Sequence, residues 1–358
     1  MIYVKQLDTI RAFAILSVVT THWSSSNSIY YKISATISAP FIFFTLSGFL
    51  ITRILFSERL YAEQFALKKS KVFKNFFIRR ALRVFPAYYL IIGIAYLLSK
   101  DSISSFFPYL TYTTNFYQSH TQTWGILPHL WTMAVEEQFY LFWPLIILYM
   151  PERHLLLIIS LFIFTGIIGR CLIPNNDFDL TLPFACFDAL GLGALLAWVE
   201  RFKPGSLNSF YKIFTVLAII SCCLIFIELN TNTYQYIFHR TFIGIITTWI
   251  IAFFITSKFK HSNSLLFNQK GVSLIGKISY GIFLYHISLI ENSYRFLPKL
   301  NSYIPFPSLA LTSHFILFEN FVILLFISYI SWKFFELPIS DLKRYFKTKV
   351  IGYKLRQF

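Results

Sequence analysis

The chain has 358 residues, of which 56% are hydrophobic and only 13% are charged. A soluble domain carries roughly 25% charged residues, so this composition excludes an ordinary soluble protein. The net charge of +16 would suit a nucleic-acid partner, but the basic residues cluster in alternate loops, as the positive-inside rule requires. The sequence therefore predicts an all-α integral membrane protein whose surroundings are the lipid bilayer, with no nucleic acid as partner.

Apolar runs long enough to cross a bilayer occur at about ten places along the chain. They lie at 7–25, 36–56, 84–99, 129–149, 155–173, 182–199, 211–229, 237–256, 275–294 and 313–334. Ten crossings place both termini on one side, and that side holds most of the 32 Lys and Arg residues. We therefore predict a bundle of about ten transmembrane helices in the inner (plasma) membrane, with both termini cytoplasmic.

The chain is predicted to form one polytopic domain, 1–338, followed by a basic cytoplasmic tail, 339–358. The first apolar run contains charges and lacks a clear cleavage site, so we expect it to remain as an anchor and not to act as a signal peptide. The four cysteines fall in apolar stretches and not at the spacing of metal ligands, so no metal is expected.

The first apolar run, LDTIRAFAILSVVTTHW, contains three residues that are unusual in lipid: Asp8, Arg11 and His22. A charge within hydrocarbon costs roughly 2.5–3.5 kcal/mol, so it is normally turned inward and used. Arg11 and His22 are eleven residues apart and lie on one helix face, while Asp8 is close enough to neutralise Arg11. Snorkelling at the helix ends explains Asp8 and suits His22 less well. We interpret His22 as a functional residue.

A basic stretch, KKSKVFKNFFIRRALRVFP, leads into the third span. Arg79, Arg80 and Arg83 run directly into the apolar residues, and Arg80 and Arg83 have helical i,i+3 spacing. Two guanidinium groups on one face would form a phosphate clamp. Topology alone predicts arginines at this position equally well.

The fourth span begins PHLWTMAVEEQFYLFWPL. His129 and Glu136 are seven residues apart and lie near the same helix face. The alternative is a helix start at the outer surface, where the helix dipole favours acidic residues, and this explains His129 easily. It does not account for Glu136, which lies two turns into the helix, so we favour a functional role for that carboxylate.

A further motif, GKISYGIFLYH, covers residues 276–286. Its small and polar members, including Ser279 and His286, recur at helical spacing and share a face. A packing face with a hydrogen-bonded core histidine explains this pattern as well as a functional site does.

Taken together, these motifs resemble the membrane-bound acyltransferase family 3, of the O-antigen and surface-polysaccharide O-acetyltransferase type. The resemblance runs nearly end to end. It rests on Arg11 followed by His22, on FFTLSGFLIT (43–52), RRALRVFPAYY (79–89), HLWTMAVEEQFYLFWP (129–144), FDALGLGALLA (187–197), GKISYGIFLYH (276–286) and FFELPI (334–339). One departure is Thr132, where the family commonly has Ser.

The resemblance implies a ten-helix bundle that transfers an acyl group from cytoplasmic acyl-CoA, usually acetyl-CoA, to a saccharide hydroxyl at the outer face. Many relatives carry an additional extracytoplasmic hydrolase-like domain. We expect that domain to be absent here, so that the bundle, or a separate glycan-assembly protein, completes the transfer.

The resemblance also implies roles for individual residues. His22 is expected to be a general base or a transient acyl carrier, with Glu136 to orient it and Arg11 to keep a polar cavity open. The phosphates of coenzyme A would be bound by Arg79, Arg80 and Arg83. The remaining candidates for the substrate pocket are Asp8, His129, Trp131, Ser279, Tyr280 and His286.

Two other function classes compete with acyl transfer. A transporter or flippase for a lipid-linked sugar would also use intramembrane His and Glu residues as a relay, but the sequence lacks the internal repeat that many transporters show. A plain membrane scaffold does not explain several buried ionisable groups. Release of free thiol from acyl-CoA, dependent on a glycan acceptor, distinguishes the enzyme from both.

Overall fold

The computed structural model describes residues 4–99, 106–173, 176–231, 236–256, 269–301 and 313–346. Within these ranges every regular element is helical. The α-helices are α1 (Gln6–Trp23), α2 (Ile29–Ile37), α3 (Ala39–Gln64), α4 (Lys69–Leu98), α5 (Phe107–Leu110), α6 (Thr114–Thr121), α7 (Trp131–Tyr149), α8 (Glu152–Leu172), α9 (Phe187–Phe202), α10 (Leu207–Thr231), α11 (Tyr236–Ile255), α12 (Lys270–Asn301), α13 (Ser313–Ile330) and α14 (Leu337–Asp341). A π-helix, Ser331–Glu336, joins α13 to α14, and a 3-10 turn, Leu342–Phe346, follows α14.

Each of the ten predicted apolar runs falls on a helix, and the prediction of an all-α membrane protein is confirmed. Eight helical segments of the described chain are long and apolar enough to cross a membrane. The helices α1 and α7 are not among the eight, because polar residues lower their mean hydropathy. Ten crossings and cytoplasmic termini therefore stay predictions. The predicted tail is described only as far as residue 346.

The centre of the bundle is built on glycines that let helix backbones approach closely. A Cβ atom at Gly48 of α3 would lie 1.9 Å from the carbonyl oxygen of Leu190 in α9. A Cβ at Gly193 of α9 would lie 2.0 Å from the carbonyl oxygen of Thr45 in α3. Small residues commonly mediate such contacts in membranes, where there is little hydrophobic drive between helices.

A third close approach joins α1 to α12. A Cβ at Gly276 would lie 1.9 Å from the carbonyl oxygen of Asp8. Further along both helices, the rings of His22 and His286 lie 5.1 Å apart between centroids. The two helices thus run parallel, and Trp23 joins the end of α1 to the middle of α12 by donating from its indole Nε1 to the carbonyl oxygen of His286 at 3.1 Å.

The position of α7 is fixed by bonds to α3. The indole of Trp143 donates to the hydroxyl of Thr52 at 2.8 Å. The guanidinium of Arg59 donates to the carbonyl oxygens of Ile147 and Met150, each at 2.8 Å. Because the last carbonyls of a helix lack partners within the helix, this arginine caps α7 at its carboxyl end.

A fully buried ion pair joins α8, α9 and α11. The guanidinium of Arg170 donates to both carboxylate oxygens of Asp188, each at 2.7 Å, and both side chains are inaccessible to solvent. The same guanidinium donates to Thr241 and to the carbonyl oxygen of Ala185, each at 2.6 Å. Thr241 in turn donates to Asp188. Both charges therefore have a full set of partners, which is the condition for a buried pair to persist.

Candidate functional site

A cavity of about 530 Å³ opens between α1, α3, α4, α7, α12 and the π-helix. This volume falls within the range of cofactor and small-molecule sites, about 300–1,000 Å³. Its charged lining comprises Asp8, Arg11, Arg53, Arg80, Arg83, Glu136, Lys277, Glu336 and Lys343. Basic side chains outnumber acidic ones, so the cavity favours an anionic ligand.

Arg80 is held by residues of α7. Its Nη2 lies 3.5 Å from Oε2 of Glu136, and its Nε lies 3.9 Å from Oε1 of Glu137. Its guanidinium carbon lies 3.9 Å from the centre of the Tyr140 ring. Arg80 is thus already balanced by two carboxylates and a ring face, and it does not present a free clamp.

Glu136 is held in turn by hydroxyl groups. Ser47 of α3 donates to Oε1 at 2.9 Å, and Tyr140 donates to Oε2 at 2.7 Å. Tyr140 also lies 3.0 Å from the hydroxyl of Ser47. These bonds fix the carboxylate at the cavity wall, where it faces the arginine of α4.

Arg83 differs from its neighbour Arg80. It lies one turn further along α4, lines the cavity and is exposed. It makes no hydrogen bond or ion pair with any residue that the structure describes. A guanidinium left free in a pocket presents its planar fork to a ligand carboxylate or phosphate.

Arg79 points away from the cavity. It pairs with Glu58 and donates to the carbonyl oxygen of Phe346 at 3.0 Å. It is not part of the cavity lining. The structure therefore brings Arg80 and Arg83 to the cavity and leaves Arg79 in a contact between α3, α4 and the final turn.

The other polar candidates divide between the cavity wall and the core. Asp8 and Arg11 form an ion pair of 3.0 Å at the wall, where Ser279 and Tyr280 also lie. The hydroxyl of Tyr280 donates to the carbonyl oxygen of Val84 at 2.7 Å and so joins α12 to α4. Trp131 packs edge-on against Phe44 and does not line the cavity.

The three candidate histidines form a separate group, the histidine cluster: His22, His129 and His286. The ring of His286 lies 5.1 Å from that of His22 and 4.9 Å from that of His129. His286 and His129 are buried, whereas His22 is exposed. Within the described ranges, no group of three or more His, Cys, Asp and Glu side chains has the geometry to hold a metal ion.

The histidine cluster lies close to one end of the cavity. Val18, Met133 and Phe283 line the cavity, and each is within about one helical turn of a member of the cluster. Glu136 does not contact His22: the carboxylate bonds to Ser47, Tyr140 and Arg80, and the imidazole of His22 packs against His286.

Sequence reasoning missed several polar residues at the cavity. Tyr140 lies four residues after Glu136 on the same helix face, so the helical period alone predicts that its hydroxyl lies beside that carboxylate. Glu336 lies within FFELPI, a stretch matched to the family without a role. Its Oε1 accepts from Ser331 at 2.9 Å within the π-helix, an element often found at functional sites.

Comparison with known proteins gives a consistent result. The family model Acyl_transf_3, described as an acyltransferase domain, matches residues 4–336. The peptidoglycan O-acetyltransferase OatA of Listeria monocytogenes is 28% identical, over 96% of this chain and 57% of that protein. YrhL of Bacillus subtilis, named "Putative peptidoglycan O-acetyltransferase", is also 28% identical, over 80% of this chain and 49% of that protein. The chain spans about half the length of these relatives. No solved structure matches it.

Proposed function

The chain belongs to the acyltransferase domain family Acyl_transf_3, and from this premise we propose that it is a membrane-embedded O-acyltransferase. The donor is acetyl-CoA or another acyl-CoA taken from the cytoplasm, and the acceptor is a hydroxyl of a cell-surface or lipid-linked saccharide. Two relatives are named for O-acetylation of peptidoglycan, which makes peptidoglycan fragments the first acceptors to test. The membrane is the inner membrane.

One observation carries the proposal: the charged cavity contains a free guanidinium and ends about one helical turn from an exposed histidine. Arg83 lies in the wall of a cavity of about 530 Å³. His22 lies beyond Val18 at the end of that cavity, on the same helix as Arg11. This arrangement supports a donor bound by its phosphates among the arginines and a reacting group directed towards the imidazole.

The basic side chains of the cavity suit the donor. Coenzyme A carries several phosphate groups, which guanidinium forks bind in bidentate fashion. Arg83 is free to bind them, and Lys277 and Lys343 line the same cavity as exposed cations. Arg80 also binds a phosphate group once that phosphate takes the place of Glu136 and Glu137 beside its guanidinium. The ion pair of Asp8 and Arg11 keeps the α1 side of the cavity polar.

His22 supplies the base for the transfer. Its ring accepts the proton of the acceptor hydroxyl while the hydroxyl oxygen attacks the thioester carbonyl carbon. The new carbon–oxygen bond forms, the carbon–sulfur bond breaks, and the thiolate of coenzyme A takes up the proton. An acyl group carried briefly on the imidazole is the alternative course of the same reaction. Separate glycan-assembly proteins are the expected partners on the acceptor side.

The test is a thiol assay on purified protein. Acetyl-CoA together with a peptidoglycan fragment should release free thiol and yield an acetylated glycan, and acetyl-CoA alone should not. His22→Ala should lower the transfer rate by about 10²–10⁴-fold, the usual contribution of a general base, with an unchanged thermal unfolding midpoint. Full activity in that variant contradicts the role of His22. A transporter or flippase would release no thiol under any of these conditions.

A further inference from the structure

The tautomer of His286 can be assigned from its surroundings. Its Nδ1 lies 2.7 Å from the carbonyl oxygen of Phe283, and its side chain is fully buried. A carbonyl oxygen only accepts hydrogen bonds, so Nδ1 carries the hydrogen and donates it. In the neutral ring, Nε2 then bears a lone pair and acts only as an acceptor.

That acceptor is left without a donor. Nε2 of His286 is buried and has no hydrogen-bond partner among the described residues. An unsatisfied buried polar atom costs roughly 1–3 kcal/mol, so a native structure that contains one requires an explanation. The nitrogen-bearing rings that pack against the ring of His286 are those of the other two members of the histidine cluster, His22 and His129.

Of these two neighbours, His22 is the one that a substrate can reach. His129 is only 4% exposed, whereas His22 is exposed at the end of α1. The bond from Trp23 to the backbone of His286 holds the end of α1 against α12 beside the two rings. The nitrogens of His22 and His286 do not form a hydrogen bond in this structure, and such bonds commonly tighten only once a substrate is bound.

We propose that His286 is the positioning residue for His22: its Nε2 accepts the N–H of the His22 ring and so fixes the tautomer of His22. The other nitrogen of His22 then presents its lone pair to the acceptor hydroxyl. The chain of bonds runs from that hydroxyl through His22 and His286 to the carbonyl oxygen of Phe283. This inference rests on the proposed function and adds a residue to it.

The decisive experiment compares two substitutions at one position. In His286→Asn the amide NH₂ takes the place of Nδ1–H and keeps the bond to Phe283, but nothing replaces Nε2. We expect kcat for acceptor acetylation to fall by 10²-fold or more, since loss of the orienting group in a catalytic triad costs about 10⁴-fold. The KM for acetyl-CoA should not change. In His286→Gln the amide oxygen occupies the place of Nε2, and most of the rate should return.

A spectroscopic measurement separates positioning from a merely structural role. The ring ¹⁵N chemical shifts of His22, identified by comparison with His22→Ala, should report one dominant tautomer in the wild type and a mixture in His286→Asn. A kcat of His286→Asn within threefold of the wild type, or an unchanged His22 tautomer, overturns the inference. If His286→Asn does not fold, the spectrum of the wild-type protein tests the proposal alone. A wild-type His286 that is protonated at Nε2 overturns the proposal. Failure of the proposed function is distinct, because the wild type would then release no thiol.

Discussion

Two arginines within the bundle illustrate opposite uses of a charge in a membrane protein. Arg170 donates to both oxygens of Asp188, to Thr241 and to a backbone carbonyl, and no part of it meets solvent. Arg83 lines a cavity, is exposed and bonds to no residue that the structure describes. The first guanidinium is fully occupied by the protein, and the second remains available to a ligand.

The contrast separates structural from functional charges by their partners and not by their residue type. The buried pair of Arg170 and Asp188 joins three helices and contributes to specifying their arrangement. Removal of either residue leaves an unpaired charge in the core. A free guanidinium in a pocket contributes little to folding and has its donors open to a ligand. A substitution at one of these two sites therefore serves as the control for a substitution at the other.

The largest effect is expected at the buried pair. Asp188→Ala leaves Arg170 charged and without its carboxylate, which should destabilise the fold by about 3–5 kcal/mol. Thermal unfolding of the detergent-solubilised protein measures this loss, and Arg83→Ala serves as the matched control with a midpoint near that of the wild type. If Asp188→Ala unfolds at the wild-type temperature, the pair does not hold the three helices together.

An intermediate effect is expected on donor binding. Arg83→Ala removes a charge-assisted bond of the kind worth about 1.5–3 kcal/mol, so the affinity for acetyl-CoA should fall roughly 10–150-fold. Arg83→Lys keeps the charge without the planar fork and should recover only part of that loss. Isothermal titration calorimetry with coenzyme A provides the measurement. Equal affinity in all three proteins contradicts a phosphate site at Arg83.

The smallest effect is expected at Arg79, which lies four residues before Arg83 and pairs with Glu58 outside the cavity. Arg79→Lys should leave coenzyme A affinity unchanged, and its stability should differ by less than about 1 kcal/mol, as is usual for a partly exposed pair. A loss of affinity as large as that of Arg83→Ala would show that the donor reaches beyond the cavity.

The helices and the contacts within one helix follow from the sequence. The length of each apolar run predicted a helix. The i,i+3 spacing of Asp8 and Arg11 predicted that the two side chains pair, and they form an ion pair of 3.0 Å. Such contacts depend only on the helical period, which the sequence specifies directly.

Contacts between helices do not follow in the same way. Pairing of Arg79 with Glu58, of Arg80 with Glu136, and of His22 with His286 depends on helix packing and rotation. For this reason a row of three arginines in the sequence becomes three different environments in the structure: one engaged outside the cavity, one balanced by carboxylates and one free.

The close contact at Gly276 has a consequence for the distant end of the same helix pair. Because α1 and α12 run parallel, the spacing of their backbones beside Asp8 is transmitted along the pair to the rings of His22 and His286, which lie about 21 Å further along α1 and about 15 Å further along α12. A single hydrogen atom in place of a methyl group at position 276 thus sets the distance between two imidazoles that it never touches. The alignment of these two rings is therefore influenced by a contact at the other end of α1.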